Sequence, residues 1–241
     1  MAVVVPPIEQ PLGSAVASYW STLIAQAAKV EDRGNRAAVT SGKQMDGFRD
    51  LVSLILEANG IEKTSIYTKS ARELPGYFRA SKDWDLVIVH KGHLVAAIEF
   101  KSQRGPSFGN NFNNRTEEAI GNATDLWVAF REGAFGAGVP RPWLGWVMLL
   151  EDCARSTKPV RIVSPHFDGF PEFKNASYAK RYEILLQKLV AERLYDSAAF
   201  LMSKSPESEP AAYSEPAEDL TMRRLLASLA GHAGAFVASL Q

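Results

Sequence analysis

Two apolar runs, Leu86-Val87-Ile88-Val89 and Leu94 to Ile98, flank the tetrapeptide His90-Lys91-Gly92-His93. The stretch KDWDLVIVHKGHLVAAIEFKS therefore reads as two short strands joined by a tight turn. Unbroken apolar character places such strands in the centre of a sheet with both faces covered. Asp85 enters the first strand, and Glu99 and Lys101 stand near the end of the second. Side chains alternate along a strand, so Glu99 and Lys101 share a face and Phe100 points to the other. Charges at the ends of buried strands are costly unless they are paired or bind a metal.

The turn decides how the carboxylates meet. A two-residue Lys91-Gly92 turn sets Asp85 opposite Ile98, whereas a three-residue loop sets it opposite Glu99. The sequence does not choose between them. Either register leaves the carboxylates close enough for one Mg²⁺ to bridge, because cross-strand neighbours lie about 5–8 Å apart. Two carboxylates and an ammonium suit phosphodiester hydrolysis. A metal held by Asp85 and Glu99 would polarise the phosphate and acidify a water. Lys101 would orient or deprotonate that water and offset developing charge. The alternative is a solvated edge pair of Glu99 and Lys101, worth little.

Composition restricts the remaining choices. The chain has 241 residues, 46% apolar and 22% charged, as expected of an ordinary globular protein with one core. Its single cysteine, Cys153, excludes an internal disulfide, reads as a packed residue at a strand end, and suits a reducing cytoplasm. No apolar run is long enough to span a bilayer, so no membrane partner is expected, and no signal peptide is evident. Net charge is zero, yet residues 61–115 carry nine basic residues against five acids. Residues 207–219 hold five acids and no base. That asymmetry permits a local basic face for phosphates.

Helical signals appear from Ser14 to about Val30, with Tyr19, Trp20, Leu23 and Ile24 on one side. A second helix runs from Ser41-Gly42 to Asn59-Gly60, with Phe48, Leu51, Val52, Leu54 and Ile55 as its stripe. Thr64–Thr68 reads as a strand, Ser70–Lys82 as a loop, and Gln103–Asn114 as a Gly/Asn-rich loop. A helix from Arg115 to Glu132 presents Ala119, Ile120, Ala123, Leu126, Trp127 and Phe130, and an apolar strand spans Pro142–Glu151. Leu94 to Leu150 is thus a βαβ unit with a parallel neighbour. Tyr178 to about Met202 and Leu220–Leu240 read as helices joined by an exposed connection, Ser203–Glu218. The last helix is expected to pack on the core or on a second subunit. The tryptophans read as core.

Helix, three strands, helix and strand, with Asp on the second strand and E-x-K on the third, resembles the PD-(D/E)XK nuclease core, Trp84-Asp85 replacing the proline-aspartate. The phrases IEFKSQRGPSFGNNFNNRTEEAIGNATDLW, FREGAFG and SPHFDGFPEFKNASYAKRYEILLQKL resemble the XhoI-type family of type II restriction endonucleases over most of the chain. The resemblance implies an α/β fold with a mixed central sheet flanked by helices and extra C-terminal helices. It implies one endonuclease domain over 1–241, with the nuclease core at about 42–152 and a helical part at about 174–241. It further implies a Mg²⁺-dependent homodimer that cuts double-stranded DNA at the palindrome CTCGAG, leaves 5′-phosphates, and works beside a cognate methyltransferase. It assigns the catalytic roles to Asp85, Glu99 and Lys101, with Asp85 and Glu99 expected to hold the metal.

Candidate DNA readers follow Lys101: Gln103, Arg104, Asn110, Asn111, Asn113, Asn114 and Arg115. Asn and Gln bond adenine bidentately and Arg bonds guanine; alternatively, Asn-rich loops bond their own backbone. Asp46, Asp50 and Glu57 read as solvated helix charges; the alternative is that one of them adds an acidic ligand or contact to the site. Glu117 and Glu118 suit the start of a helix, where they favour its dipole. His90 and His93 read as surface residues of the turn. His166, Lys174, Lys180 and Arg181 are either phosphate contacts or a solvated helix start. Two other functions compete: a DNA-binding module without catalysis, and a structure-specific repair or junction nuclease.

Overall fold

The two apolar runs pair as expected, and a β-bulge decides their register. The computed structural model describes residues 3–33, 42–206 and 212–239. Its elements are α1 (Glu9–Arg33), α2 (Asp46–Ala58), β1 (Ile66–Tyr67), β2 (Glu73–Pro75), β3 (Ser81–Asp83), β4 (Leu86–His90), β5 (His93–Gln103) and α3 (Phe108–Arg131). They continue with β6 (Trp143–Glu151), α4 (Ala154–Thr157), α5 (Tyr178–Ala191), β7 (Ser197–Ser203), β8 (Tyr213–Ser214) and α6 (Met222–Ser239). The main sheet has the order β1-β4-β5-β6-β7-β8. β5, β6 and β7 run parallel to one another. β1, β4 and β8 join antiparallel, so the sheet is mixed.

Lys91 and Gly92 form a two-residue turn with φ of 49° and 80°. Left-handed backbone at both positions matches the twist of an antiparallel pair, and glycine takes the second without strain. His90 pairs with His93 and Val89 with Leu94, but Ile88 pairs with Ala96. Val95 is the extra residue. It shifts every later pair by one, so Leu86 faces Ile98 and the chain before it brings Asp85 to Glu99. The turn is the short one, and the bulge gives the register that a three-residue loop would have given.

Helices cover both faces. On one side, Tyr19 and Trp20 of α1, Phe48 and Leu56 of α2, and Leu225 and Leu229 of α6 pack on Ile98, Phe100, Val147 and Leu201. On the other, Ala123 and Leu126 of α3 and Tyr182 and Leu186 of α5 pack on Val87, Ala97, Trp146 and Phe200. All five tryptophans are buried. α6 packs on the core of its own chain. Cys153 is half-buried two residues after the end of β6. Among the described residues no helix is long and apolar enough to cross a membrane.

Several expectations need correction. α1 starts at Glu9 and leaves Ser14 exposed inside the helix. Pro11 and Gly13 look like breakers, but the first-turn N–H groups have no helical acceptor to lose, and Ile8 and Leu12 extend the buried stripe. Ile24, Leu54 and Ile120 are exposed, at the margins of their stripes. A 3₁₀ turn at Gly42–Met45 precedes α2; Ser41, the expected start, lies outside the described residues. Only Ile66–Tyr67 of Thr64–Thr68 is strand. The expected loop Ser70–Lys82 contains the hairpin of β2 and β3, whose short, mostly exposed strands carry no alternating pattern.

The Gly/Asn-rich loop is largely helix, since α3 begins at Phe108. The helix expected to reach Met202 ends at Ala191, and the part after about residue 174 also contributes β7 and β8 to the sheet. Arg193 turns the chain with φ of 56°. Asp196 then docks on β6: its N–H donates to Leu144 O at 2.8 Å and its Oδ2 accepts from Leu144 N at 2.8 Å. Ala198–Met202 are good helix formers, but burial beside β6 overrides that propensity. The connection expected over Ser203–Glu218 includes β8; residues 207–211 within it, and Leu240 of the last expected helix, lie outside the described residues. His90 is buried and its Nδ1 lies 3.2 Å from Ser65 Oγ, so it is not a surface residue.

His232 on α6 gives the fold a pH dependence. Its Nε2 lies 3.1 Å from Val95 O. Burial lowers its pKa, outweighing the upward pull of Val95 O and Asp196, while Arg141 lowers it further. The folded state thus prefers neutral imidazole. Below the ordinary pKa of about 6.5 protons bind the unfolded chain first, so this contribution is present above that pH and lost as pH falls toward the folded value. His232→Gln should show a smaller fall in urea midpoint than wild type between about pH 8 and about pH 5.

Candidate active site

The bulged pair delivers Asp85, Glu99 and Lys101 to one place. Asp85 Oδ2 accepts from Phe100 N at 2.8 Å, and Lys101 Nζ lies 3.4 Å from the same oxygen. Lys101 also contacts Glu99 Oε2. Glu99 is 0% exposed. The three residues expected to act together do meet, and Phe100 points away from Glu99 and Lys101 into the opposite core.

Three further residues contact the trio directly. Lys82 of β3 donates to Glu99 Oε1 at 2.6 Å. Glu118, in the body of α3, places Oε1 3.0 Å from Lys101 Nζ. Arg49 of α2 reaches Asp85 Oδ1 at 3.5 Å and pairs with Asp46. Arg115 pairs with Glu118. Four acids (Asp46, Asp85, Glu99, Glu118) thus face four bases (Arg49, Lys82, Lys101, Arg115). Glu118 is not at a helix start, as the sequence suggested, because α3 begins ten residues earlier than Glu118, at Phe108. It precedes buried Ala119 on the face that turns to the sheet, and that 3.6-residue periodicity was its one sequence signal. Lys82 had none, since the hairpin that carries it has no pattern. Asp46 joins through Arg49, while Asp50 and Glu57 are exposed, as expected of solvated charges.

These neighbours set the protonation states. Burial pushes Glu99 up and Asp85 adds to the rise, against the opposing charges of Lys101 and Lys82. Burial would also raise Asp85, but Lys101, the Phe100 N–H and Arg49 outweigh it and hold its carboxyl below the usual range. Burial alone would lower Lys101; the carboxylates of Glu99, Asp85 and Glu118 win and raise it above an ordinary lysine. In this state Lys101 is firmly an ammonium.

The cluster opens into a cleft of 520 Å³ whose walls include Gln44, Arg49, Asp85, Lys101, Arg104, Asn111 and Arg115. A larger cleft of 700 Å³ at the far end of α3 contains none of the trio. Arg104, Asn110, Asn113 and Asn114 are exposed; Asn111 and Arg115 are half-buried. Gln103 is buried, its Nε2 donating to Phe108 O at 3.1 Å and its Oε1 accepting from the Tyr182 hydroxyl, so both ends of its amide are taken. His93 is half-buried; His166 and Lys174 are exposed. Lys180 pairs with Glu183, and Arg181 bonds Ala176 O and Val160 O.

Among the described residues no group of three or more His, Cys, Asp or Glu side chains is arranged to hold a metal ion. Asp85 and Glu99 nevertheless fit one that keeps other ligands. They already share a cation, the Lys101 ammonium. Glu99 Oε2 is buried, and the Lys101 contact does not follow a hydrogen-bonding direction, so the oxygen has no hydrogen-bond partner. Mg²⁺ is usually held by one or two carboxylates together with water and substrate phosphates.

A family profile described as "Restriction endonuclease XhoI" matches residues 25–215. Type II restriction enzyme BstVI of Geobacillus stearothermophilus is 53% identical over 207 residues, covering 84% of this chain and 92% of that protein. Type II restriction enzyme XhoI of Xanthomonas vasicola is 47% identical over 180 residues, covering 73% and 72%. Type II restriction enzyme AbrI of Azospirillum brasilense is 60% identical over 126 residues, covering 52% and 56%. No solved structure matches the chain.

Proposed function

Because this chain belongs to the XhoI family of restriction endonucleases, we propose that it cuts duplex DNA at CTCGAG through Asp85, Glu99 and Lys101, using Mg²⁺ and leaving 5′-phosphate ends. It is a type II site-specific endonuclease with DNA as its substrate, which removes the non-catalytic module and the structure-specific nuclease from consideration. Family members generally need a divalent ion; Mg²⁺ is our assignment. The observation that carries the site is the meeting of Asp85 and Glu99 around one cation at the wall of a cleft that also holds Arg104, Asn111 and Arg115.

Asp85 and Glu99 would hold the metal. When bound, the ion neutralises charge on the phosphate and acidifies water. Phe100 N and Arg49 orient Asp85, while the β-bulge fixes the distance between the two carboxylates. Lys101, held as an ammonium, stabilises charge on the phosphate and orients the attacking water. Glu118 Oε1 lies 3.0 Å from Lys101 Nζ and would keep that ammonium compensated with Glu99 serving as a metal ligand. Arg104 and Arg115 provide phosphate or guanine contacts, and Asn110, Asn111, Asn113 and Asn114 offer amides for adenine from the first turns of α3. The helices on both faces and the acid and E-x-K on adjacent strands support a PD-(D/E)XK core. A palindrome calls for a two-fold dimer that places one centre on each strand, and restriction calls for a methyltransferase that protects the host site.

Digestion of a plasmid with a single CTCGAG site, in Mg²⁺ or in EDTA, followed by sequencing of the ends, tests this reading. One Mg²⁺-dependent cut at the site is expected. Glu99→Ala should lower the cleavage rate by at least about 10²-fold. Cutting at another sequence would remove the CTCGAG assignment, and undiminished cutting by Glu99→Ala would remove the centre.

A further inference from the structure

On the reading that Asp85 and Glu99 hold the metal, we infer that Lys82 is a positioning residue: the permanent counter-ion of Glu99, which leaves Lys101 free to serve the phosphate. Two ammonium groups flank one buried carboxylate. Lys82 takes Oε1 at 2.6 Å and Lys101 contacts Oε2. Their tethering differs. Lys101 divides itself among Asp85, Glu99 and Glu118. Lys82 is fixed: it also donates to Asp83 O at 2.6 Å and lies 5.1 Å from the centre of the Trp84 ring. Trp84 is itself buried.

Geometry then separates the two roles. A buried carboxylate needs an opposite charge at all times. If Lys101 were the sole partner of Glu99, it could not turn to a phosphate without leaving that carboxylate uncompensated. Both Glu99 oxygens would close on Lys101, and an incoming ion would have to break the pair. Lys82 prevents this by holding Oε1, which keeps Oε2 directed at the Asp85 side. Lys82 would also repel a bound ion, but it holds the Glu99 oxygen other than the one that meets Lys101, so its orienting effect is expected to outweigh that repulsion. Lys82 comes from β3, part of the small hairpin outside the main sheet. That hairpin therefore has a task at the centre: Arg72 pairs with Asp83 and Trp84 N donates to Arg72 O, which anchors the segment bearing Lys82.

Direct Mn²⁺ binding, followed by electron paramagnetic resonance of the free ion, and the Mg²⁺ concentration for half-maximal cleavage test the role. Lys82→Met should weaken both by about 10–100-fold, the usual effect of removing a group that orients a metal ligand. Lys82→Arg should stay within a few-fold of wild type. Should Lys82→Met fail to fold, Lys82→Gln makes the same comparison. Wild-type Mn²⁺ affinity and Mg²⁺ dependence in the folded neutral variant, even with a lowered melting temperature, would overturn the proposal. Glu99→Ala in the same series separates the two failures. If it loses Mn²⁺ binding and Lys82→Met does not, only the Lys82 role falls; if Glu99→Ala binds and cuts normally, the centre itself is wrong.

Discussion

Lys101→Ala should bind cognate DNA and cleave it about 10²–10³-fold more slowly or worse, the effect of deleting one preorganised charge-stabilising group. The lysine touches three carboxylates, and among the described residues the neighbouring cations are each engaged elsewhere: Lys82 on Glu99 Oε1, Arg49 on Asp85 Oδ1 and Asp46, and Arg115 on Glu118 Oε2. Removing it leaves the four acids of the cluster facing three bases, a surplus of one negative charge. That surplus should draw divalent ions more strongly, so metal affinity rises while turnover falls. Opposite movement of the two quantities distinguishes loss of catalysis from loss of folding. Lys101→Met keeps the apolar stem, which packs with its Nζ 5.8 Å from the Trp146 ring centre, and should show the same kinetic loss with less loss of thermal stability. DNA affinity in Ca²⁺, single-turnover cleavage in Mg²⁺, and melting temperature are the measurements. Cleavage at the wild-type rate by either variant would take Lys101 out of the reaction.

What could be read from the sequence followed its hydrophobic pattern. The βαβ unit from β5 through α3 to β6 was legible because its strands are continuous apolar runs and α3 has a clear stripe. The trio was legible because E-x-K on a strand fixes a shared face. Its final geometry was not, because the Val95 bulge leaves no mark in a run of Val and Ala, and it moves Asp85 by one residue along Glu99's strand. Lys82 and Glu118 reach the site by tertiary packing of a patternless hairpin and a helix flank. β7 failed for a related reason: Ala, Phe, Leu and Met fit a buried strand and a helix equally well, and only the neighbour β6 decides.

The Asn-rich start of α3 is the sharpest conflict between local preference and tertiary structure, and Phe108→Ala should expose it. Residues 108–115 include Gly109 and four asparagines. Relative to alanine those five residues disfavour helix by roughly 3 kcal/mol in total. Aromatic packing opposes that. Phe108 is 3% exposed and stacks on Tyr178 at 5.9 Å, and Phe112 meets Tyr182 edge-on at 5.1 Å. Gly109 permits the stack, since a Cβ there would lie 2.9 Å from the Tyr178 hydroxyl oxygen. Truncating a buried Phe costs about 3–5 kcal/mol, enough to remove what holds these turns helical. In Phe108→Ala the amides of 109–115 should lose hydrogen-exchange protection while those of β5 and β6 keep theirs. Because those turns carry Asn111 and Arg115, which line the cleft, the KM for cognate DNA should rise by about 10-fold or more, the equivalent of one or two lost polar contacts. Fraying without any change in KM would assign these asparagines to the helix surface alone and move sequence reading elsewhere on the cleft wall.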